Sequence, residues 1–423
     1  MTAARGDGQQ GSGLARTALR VALFNATANA LLLVGNTYAA RCLGAVNVGI
    51  GAQVQVGVQQ AALAFNGGLE MTSVRAIASG QESAATVARA VLAFRLAVAV
   101  PLALAWMAWA LATQEPGVVR TAWLLGGPLL VIAAVQLPFV FQATERMPRW
   151  SALTAMSALL VAGAYALFFR PGMPAGSDLW VLVAVGTVMA AVSVTQAFAG
   201  VHAAAPAPGM RWRDTGAVAV RLIAQSWRYW LLALLIFVYT ALPVLLVARM
   251  QGDAAAGVLR VCLQLASGLE LVFASINGLL LPRLVRAREE GEHVLRAQQR
   301  SYLRTHIALA VGALVVAALA APFVFDRFLG PQFQEGTAPF VVLALSRAVV
   351  FVGQLAVWGV IALRLDGVLL AATACGALTS LALNLALIPG HSLLGAAWAS
   401  VAAEAVIVSL CWLGQRRYRV VPA

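Results

Sequence analysis

The chain has few charged residues and no lysine. Of its 423 residues 11% are charged and 61% are hydrophobic, and the mean hydropathy is +0.84. A soluble domain carries about a quarter charged residues, so this chain lacks the polar surface that a soluble globule needs. The composition therefore predicts a polytopic membrane protein. All 29 basic residues are arginine, and no basic run is interleaved with aromatic residues, which argues against a nucleic-acid partner.

Cysteine and histidine are too few and too scattered for a metal site. The four cysteines lie far apart without CxxC spacing, and the four histidines stand at loops and span ends, so neither a disulfide framework nor a metal cluster is expected. The sequence shows no catalytic nucleophile with a general base beside it, and no phosphate-binding loop. The long loops in which a membrane glycosyltransferase or polymerase would hold its substrate are lacking. We therefore expect a transporter without a cofactor, not an enzyme.

Apolar runs of about 20 residues predict about twelve transmembrane helices. They lie at 17–40, 46–70, 88–112, 121–142, 150–169, 178–201, 222–248, 254–281, 304–325, 337–361, 367–388 and 392–413. The predicted domains are a disordered cytoplasmic tail at 1–16, an N-terminal six-helix bundle at 17–201, a cytoplasmic linker at 202–221, a C-terminal six-helix bundle at 222–413 and a cytoplasmic tail at 414–423. Most arginines fall on the side of the N-terminus, so the positive-inside rule predicts both termini in the cytoplasm.

A short pattern recurs in the two predicted halves. Residues 40–50 read A-R-x-x-G-x-x-x-x-G-I, and residues 248–258 read A-R-x-x-G-x-x-x-x-G-V. The same offset carries Val74-Arg75 onto Pro282-Arg283. The spacing predicts an internal duplication with two related halves. The alternative is a shared loop chemistry, in which glycines turn the chain and an arginine lies at the membrane interface.

Polar side chains inside the predicted spans share helix faces and are candidates for substrate binding in the lumen. They are Asn25, Asn29 and Asn36 in helix one, Arg260 and Gln264 in helix eight, and Arg347, Gln354 and Trp358 in helix ten. Residues spaced by three, four, seven or eleven positions lie on one side of a helix. The alternative for each amide is a helix-to-helix hydrogen bond that contributes about 0.6 kcal/mol.

Charges near the middle of a span are costly and need a partner or a function. Arg347 and Glu270 are nearest the middle of their spans, and Glu404 lies about half-way along helix twelve. We predict that the lumen arginines hold an anion and that Glu270 and Glu404 couple transport to a proton or sodium gradient. A static ion pair between Arg347 and Glu270 or Glu404 is the competing interpretation.

Two further arginines, Arg95 and Arg228, lie about two helical turns from the cytoplasmic ends of their helices. At that depth a long side chain can extend to the lipid headgroups. Trp227, Tyr229 and Trp230 surround Arg228 in the sequence, and such residues form aromatic belts at membrane interfaces. We therefore expect both arginines to reach the membrane surface.

Five stretches resemble one known family. They are AARCLGAVNVGIGAQVQV at 39–56, VRAIASG at 74–80, LLLPRL at 279–284, FLGPQF at 328–333 and NLALIPGHSLLGAAWASVAAEAVIV at 384–408. In order and spacing they resemble the Wzx-type polysaccharide flippases of the multidrug/oligosaccharidyl-lipid/polysaccharide (MOP) exporter superfamily. None of the candidate lumen residues matches a motif position of that family.

The resemblance implies a MATE-like fold of two pseudo-symmetric six-helix bundles around a central lumen. It implies that the protein flips undecaprenyl-pyrophosphate-linked oligosaccharide across the bacterial inner membrane by alternating access, for lipopolysaccharide or exopolysaccharide synthesis. Membrane lipids, a polysaccharide polymerase and a chain-length regulator are the further partners it suggests. A MATE-like exporter of drugs or metabolites is the main alternative, and a membrane glycosyltransferase or polymerase is less favoured.

Overall fold

The computed structural model describes residues 4–202, 212–277, 290–363 and 365–418 and the single positions 284 and 287. Its elements are α1 (Ala4–Leu43), α2 (Ala45–Asn66), α3 (Leu69–Ala78), α4 (Ala84–Thr113), α5 (Val118–Leu124), α6 (Gly126–Val135), α7 (Pro138–Ala143), α8 (Met147–Phe168), α9 (Ser177–His202), α10 (Trp212–Thr240), α11 (Leu242–Gln251), α12 (Asp253–Asn277), α13 (Glu292–Pro322), a π-helix (Phe323–Leu329), a 3-10 helix (Pro331–Gly336), α14 (Thr337–Ala362) and α15 (Asp366–Tyr418). Within these residues every element is helical, so the predicted all-α fold is confirmed.

Several predicted helices are interrupted where the sequence carries proline or glycine. The helix predicted at 121–142 is divided into α5, α6 and α7, and Pro138 stands at the start of α7. Pro243 likewise stands at the start of α11, which separates it from α10. Proline is tolerated in the first helical turn because its missing N–H has no partner there. The helix predicted at 46–70 ends at Asn66, and Gly68 has the left-handed φ of +72°.

Some helices extend beyond the apolar runs that predicted them. α1 begins at Ala4, where a disordered tail was predicted at 1–16, and α13 begins at Glu292 instead of residue 304. Hydropathy marks where a helix enters the membrane, and the Glu, Arg and Gln residues at the start of α13 have the helix propensity to continue it outside. The extension of α1 contains four glycines, and propensity does not explain it. α15 contains the helices predicted at 367–388 and 392–413, with a kink at Ser392, whose φ is +48°.

Eight helical segments among the described residues are long and apolar enough to cross a membrane. They are Ala84–Thr113, Val118–Ala143, Met147–Phe168, Ser177–Gly200, Gly216–Gln251, His293–Leu329, Pro331–Ala362 and Asp366–Arg417. The last of these contains the kink at Ser392. The chain is therefore a multi-pass membrane protein, and the total of twelve spans stays a prediction.

The chain forms two compact units. The first unit comprises Met1–Ala39, Gly57–Phe169 and Met173–Ala233, and the second comprises Ala40–Val56, Arg170–Gly172 and Leu234–Ala423. The division of the chain at residues 202–221 stays a prediction. Each unit has an apolar core of its own, built in the first around residues of α4 and α7 and in the second around helices α12 to α15.

Arg95 lies in the core of the first unit and does not reach the membrane surface. Its side chain is 0% exposed. The guanidinium donates to the carbonyl oxygen of Gln136 at 2.7 Å, lies 3.4 Å from a carboxylate oxygen of Glu70 and is 5.8 Å from the ring centroid of Phe139. Gln136 is the last residue before the break between α6 and α7, so its carbonyl has no helical partner there. The expectation that Arg95 extends to the headgroups was wrong: the side chain is buried, and its Nη1 and Nη2 atoms bond to this carbonyl and to Glu70.

Candidate functional site

The two copies of the repeated pattern have the same local structure. α1 ends at Leu43 and α2 begins at Ala45; α11 ends at Gln251 and α12 begins at Asp253. The glycine between each pair has a positive φ, +78° at Gly44 and +91° at Gly252. Glycine adopts this region without the cost that a side chain would add. Pro282-Arg283, the second part of the predicted repeat, lies outside the described residues.

The repeats also contact each other, because the first turns of α2 and α12 cross within the second unit. At this crossing Gly49 lies against Asp253, and Gly257 lies against Ala45. A Cβ atom at either glycine would overlap a backbone carbonyl oxygen of the other helix. Small residues of this kind allow helix backbones to approach closely in membranes. The two glycines of the pattern therefore form one close helix crossing.

Hydrogen bonds surround the crossing. The amide of Gln53 on α2 donates to a carboxylate oxygen of Asp253 at 2.7 Å. The backbone N–H of Ala45, at the start of α2, donates to the side-chain oxygen of Gln332 at 3.1 Å. Gln332 belongs to the 3-10 helix, so a residue distant in sequence satisfies a helix N-terminus that has no partner of its own.

Arg260 lies farther along α12, on the side that meets α2. Its Nη2 atom donates to the side-chain oxygen of Gln55 at 3.1 Å. Arg260 and Gln264, one turn apart, are both half-buried. The structure thus brings Arg260 beside an amide of α2, with Gln264 one turn along the same helix. A cation and neutral hydrogen-bonding groups therefore occur together in this unit. Such a set can bind an anion that also carries hydroxyl groups.

A second charged group in the same unit contains Arg347 and Glu270. Arg347 Nη1 donates to a carboxylate oxygen of Glu270 at 2.9 Å. The Arg347 side chain is 16% exposed and that of Glu270 is 50% exposed. Glu404 is buried, and it and Tyr239 lie within electrostatic range of this pair. The ion pair that was the competing interpretation of Arg347 is therefore present, and the group contains two carboxylates and one guanidinium.

The other residues that were predicted on the face of Arg347 have different surroundings. Trp358 packs against a cluster that includes Leu284, Leu295 and Leu363. Its indole nitrogen is buried and finds no hydrogen-bond partner among the described residues. Gln354 is half-buried. The ring of Trp358 is thus engaged with apolar side chains, and its role in binding a sugar stays a prediction.

The three asparagines of α1 belong to the first unit. Asn25 and Asn29 are exposed, and Asn36 is half-buried. Their exposure fits the predicted polar face of this helix, and their role in substrate binding stays a prediction.

Sequence reasoning did not select Gln53, Gln55 or Asp253, although all three bond at the α2–α12 crossing. A signal was available, because residues 46–70 carry Gln53, Gln55, Gln59, Gln60 and Asn66, which is more amide than a lipid-facing helix accepts. No group of metal-binding side chains occurs in the part of the chain that the structure describes.

Solved structures that resemble this chain include membrane transporters. The lipid II flippase MurJ, in an inward closed conformation, is similar with a TM-score of 0.71 and 11% identity over 93% of this chain and 87% of that chain. An inward-facing multidrug resistance MATE transporter of the MOP superfamily has a TM-score of 0.68 and 11% identity, over 92% of this chain and 94% of that chain. A point mutant of the Vibrio cholerae MATE transporter VcmN has a TM-score of 0.63 and 13% identity, over 96% of this chain and 97% of that chain. At these identities the likeness shows the fold, which is that of the MOP superfamily.

No curated protein matches the chain at a significant level of sequence similarity. The sequence profile of the family described as "Polysaccharide biosynthesis protein" matches residues 14–288. That match contains α2, the first turns of α12, and both copies of the glycine pattern. Because it covers more than half of the sequence, the chain belongs to the polysaccharide biosynthesis protein family.

Proposed function

We propose that the protein is a flippase that moves undecaprenyl-pyrophosphate-linked oligosaccharide across the bacterial inner membrane by alternating access, for the synthesis of a surface polysaccharide. The observation that carries this proposal is the family match together with Arg260, a guanidinium placed beside Gln55 within apolar helices. The known flippase MurJ has the same fold, which supports a lipid-linked substrate. The prediction that the protein is not an enzyme is part of this proposal.

Arg260 is the group that we assign to the pyrophosphate. A guanidinium presents a planar set of donors that matches phosphate oxygens and keeps its charge at all physiological pH values. The bond to Gln55 uses Nη2 and orients the side chain toward α2. Gln55 and Gln264 supply amides for sugar hydroxyls, while the lipid tail stays in the bilayer.

Glu404 and Glu270 are the groups that we assign to coupling. Both lie near Arg347, and one guanidinium cannot neutralise two ionised carboxylates. Binding of a proton or a sodium ion at the second carboxylate would restore the balance of charge. Transport of the anionic substrate is thereby linked to a cation gradient, and no bound cofactor is required.

The excess of arginine on the side of the N-terminus supports an orientation with both termini in the cytoplasm. Membrane lipids surround the protein in this arrangement. A polysaccharide polymerase and a chain-length regulator are the protein partners that a flippase of this kind would serve.

A MATE-like exporter of drugs or metabolites is the second candidate. The observation that favours it is the group of Glu270, Glu404 and Arg347, whose charges sum to minus one when all three are ionised. A site of that sign attracts a cationic compound. The structural likeness to a multidrug transporter also favours this candidate.

The two candidates are separated by transport into proteoliposomes. Purified protein is reconstituted with fluorescently labelled undecaprenyl-pyrophosphate oligosaccharide on one leaflet, and flipping is read as protection of the label from a membrane-impermeant quencher. Arg260→Gln is expected to reduce the rate at least tenfold, and Arg260→Lys to retain part of it, since lysine keeps the charge without the planar set of donors.

Arg249→Gln is the matched control, because Arg249 is an exposed arginine at the end of the neighbouring helix α11. It is expected to transport at the wild-type rate. Equal rates for wild type and Arg260→Gln would refute the role of Arg260. Absence of glycolipid flipping together with proton-driven efflux of a cationic dye would refute the flippase and establish the exporter.

A further inference from the structure

The junction of α2 and α3 in the first unit is built around an indole ring. α2 stops at Asn66, and Gly67 and Gly68 separate it from α3. The ring of Trp230 on α10 lies against Gly67, where a Cβ atom would overlap it. Its Nε1 donates at 2.9 Å to the carbonyl oxygen of Leu63, which also accepts from the backbone N–H of Gly67 at 3.2 Å. One side of the Trp230 ring therefore packs against the break between α2 and α3.

A cavity of about 260 Å³ lies beside this junction. Its walls are apolar and include Phe65, Leu69, Phe94, Ile223, Trp227 and Trp230. Three of these residues belong to α10 and are exposed: Ile223 by 36%, Trp227 by 56% and Trp230 by 41%. The cavity therefore opens onto a surface of large apolar side chains. In a membrane-spanning helix, exposed apolar surface of this kind faces the acyl chains of the bilayer, so the cavity is accessible to a lipid.

Two arginines contact residues that belong to the cavity wall or adjoin it in the sequence. The Arg228 guanidinium lies 5.4 Å from the ring centroid of Trp227, a wall residue. Arg75 on α3 donates to the hydroxyl of Tyr229 at 2.9 Å, and Tyr229 packs against Gly68 at the junction. Both arginines are exposed. Positive charge therefore borders an apolar cavity, as a lipid with an anionic headgroup requires.

The contacts that α10 makes with residues 63–82 also change from charged to apolar along the helix. Arg221 pairs with Glu82 at 2.6 Å at one end. Thr72 and Ser226 share a hydroxyl hydrogen bond at 2.8 Å farther along, and Trp230 lies at the other end. This order matches the change from headgroups to acyl chains across a membrane interface, where arginine and tryptophan are enriched.

We propose that this cavity binds one anionic phospholipid of the surrounding bilayer, with an acyl chain in the cavity and the phosphate between Arg75 and Arg228. Basic sites of this kind on the cytoplasmic side of membrane proteins bind anionic headgroups. Two arginines near the surface predict a preference of about tenfold over a zwitterionic lipid. The site does not include Arg260 and does not depend on the proposed substrate.

The test uses the full chain in nanodiscs and lipids with brominated acyl chains, which quench tryptophan on contact. Nanodiscs of phosphatidylcholine receive increasing fractions of brominated phosphatidylglycerol or brominated phosphatidylcholine. For the wild type, half-maximal quenching by brominated phosphatidylglycerol is expected at about a tenfold lower fraction. The Arg75→Gln/Arg228→Gln variant is expected to lose this difference, and Ala64→Phe, which fills the cavity, is expected to lose it too.

Arg149→Gln is the matched control, because Arg149 is an exposed arginine on α8 outside the cavity. It should keep the wild-type preference. Equal quenching by the two lipids in the wild type, or an unchanged preference in Arg75→Gln/Arg228→Gln, would overturn the proposal. So would relief of the quenching by unlabelled undecaprenyl phosphate but not by unlabelled phosphatidylglycerol, since the cavity would then hold a polyprenyl chain. Loss of glycolipid flipping in the separate Arg260 experiment leaves this proposal intact.

Discussion

A single methyl group at the α2–α12 crossing is expected to push the two helices apart. In Gly49→Ala the added Cβ overlaps the carbonyl oxygen of Asp253 and lies 3.0 Å from the backbone nitrogen of Gly257. In Gly257→Ala it overlaps the carbonyl oxygen of Ala45 and lies 2.8 Å from the nitrogen of Gly49. Optimal contacts between heavy atoms are about 3.5–4.0 Å. Since every clashing atom is backbone, no side chain can rotate to relieve the overlap.

Two opposing effects set the magnitude. Overpacking of a close contact costs about 1–3 kcal/mol, whereas replacing glycine by alanine inside a helix stabilises it by about 1 kcal/mol. Gly163 on α8 and Gly312 on α13 isolate the second effect, because a Cβ at either position meets no atom within 4 Å. The crossing variants should therefore be less stable than the control variants Gly163→Ala and Gly312→Ala by about 1–3 kcal/mol.

Thermal unfolding of the purified proteins in one detergent measures this difference. A change of 1 kcal/mol shifts Tm by about 2–4 °C in a domain of 150–250 residues, so the crossing variants should unfold several degrees below the controls. The variant with both alanines should lose less than the sum of the single losses, because the first methyl group has already separated the helices. Glycolipid flipping should fall as well, since Gln55 and Arg260 depend on the same crossing.

A Tm for Gly49→Ala equal to or above that of Gly163→Ala would refute the close approach of the helices. Strict additivity of Gly49→Ala and Gly257→Ala would show that the two glycines do not share one contact.

Three further predictions concern charge and topology. Arg347→Gln should destabilise the protein more than Glu270→Gln in thermal unfolding, by about 1–3 kcal/mol, because it leaves two carboxylates, one of them the buried Glu404, without a guanidinium. Glu270→Gln leaves Arg347 beside Glu404, and equal losses would contradict this asymmetry. Glu404→Gln should reduce the dependence of glycolipid flipping on an imposed pH or sodium gradient without preventing membrane insertion, and an unchanged dependence on both gradients would make Glu404 structural. In a Cys375→Ala background, cysteines at Gln81 and Arg149 should react with impermeant maleimide only from the cytoplasm and those at Glu115 and Pro171 only from outside, so two or more reversals would reject the orientation with cytoplasmic termini.

The sequence by itself determined the class of the protein and much of its local structure. Low charge and long apolar runs require a membrane environment, because a chain of this composition cannot form a soluble surface. Gly44 and Gly252 mark helix ends at equivalent positions because the backbone there needs a positive φ. The membrane environment and the helix ends both depend on residues that are close together in the sequence, so both can be predicted from it. The family could be predicted for the same reason, since its motifs are local stretches of sequence.

Only the tertiary structure decided which polar residues meet. Arg95 and Arg228 have similar distances from the ends of their predicted helices, yet Arg95 is buried against the carbonyl of Gln136 while Arg228 is exposed beside Trp227. Helical periodicity indicates the face on which a side chain lies. It does not indicate which element packs against that face. The outcome depends on which side chain reaches the carbonyl that the break before Pro138 leaves unpaired, and the approach of α4 to that break is set by packing.

The same reason applies to the candidate site. The sequence placed Arg260 on a polar face, but its partner Gln55 comes from a helix about 200 residues away in the chain. It allowed either Glu270 or Glu404 as the partner of Arg347, and the structure selected Glu270. The pairing follows from the approach of α2 to α12 at Gly49 and Gly257 and from the packing of α12 on α14. Such long-range contacts are set by the packing of whole helices, which local sequence does not specify.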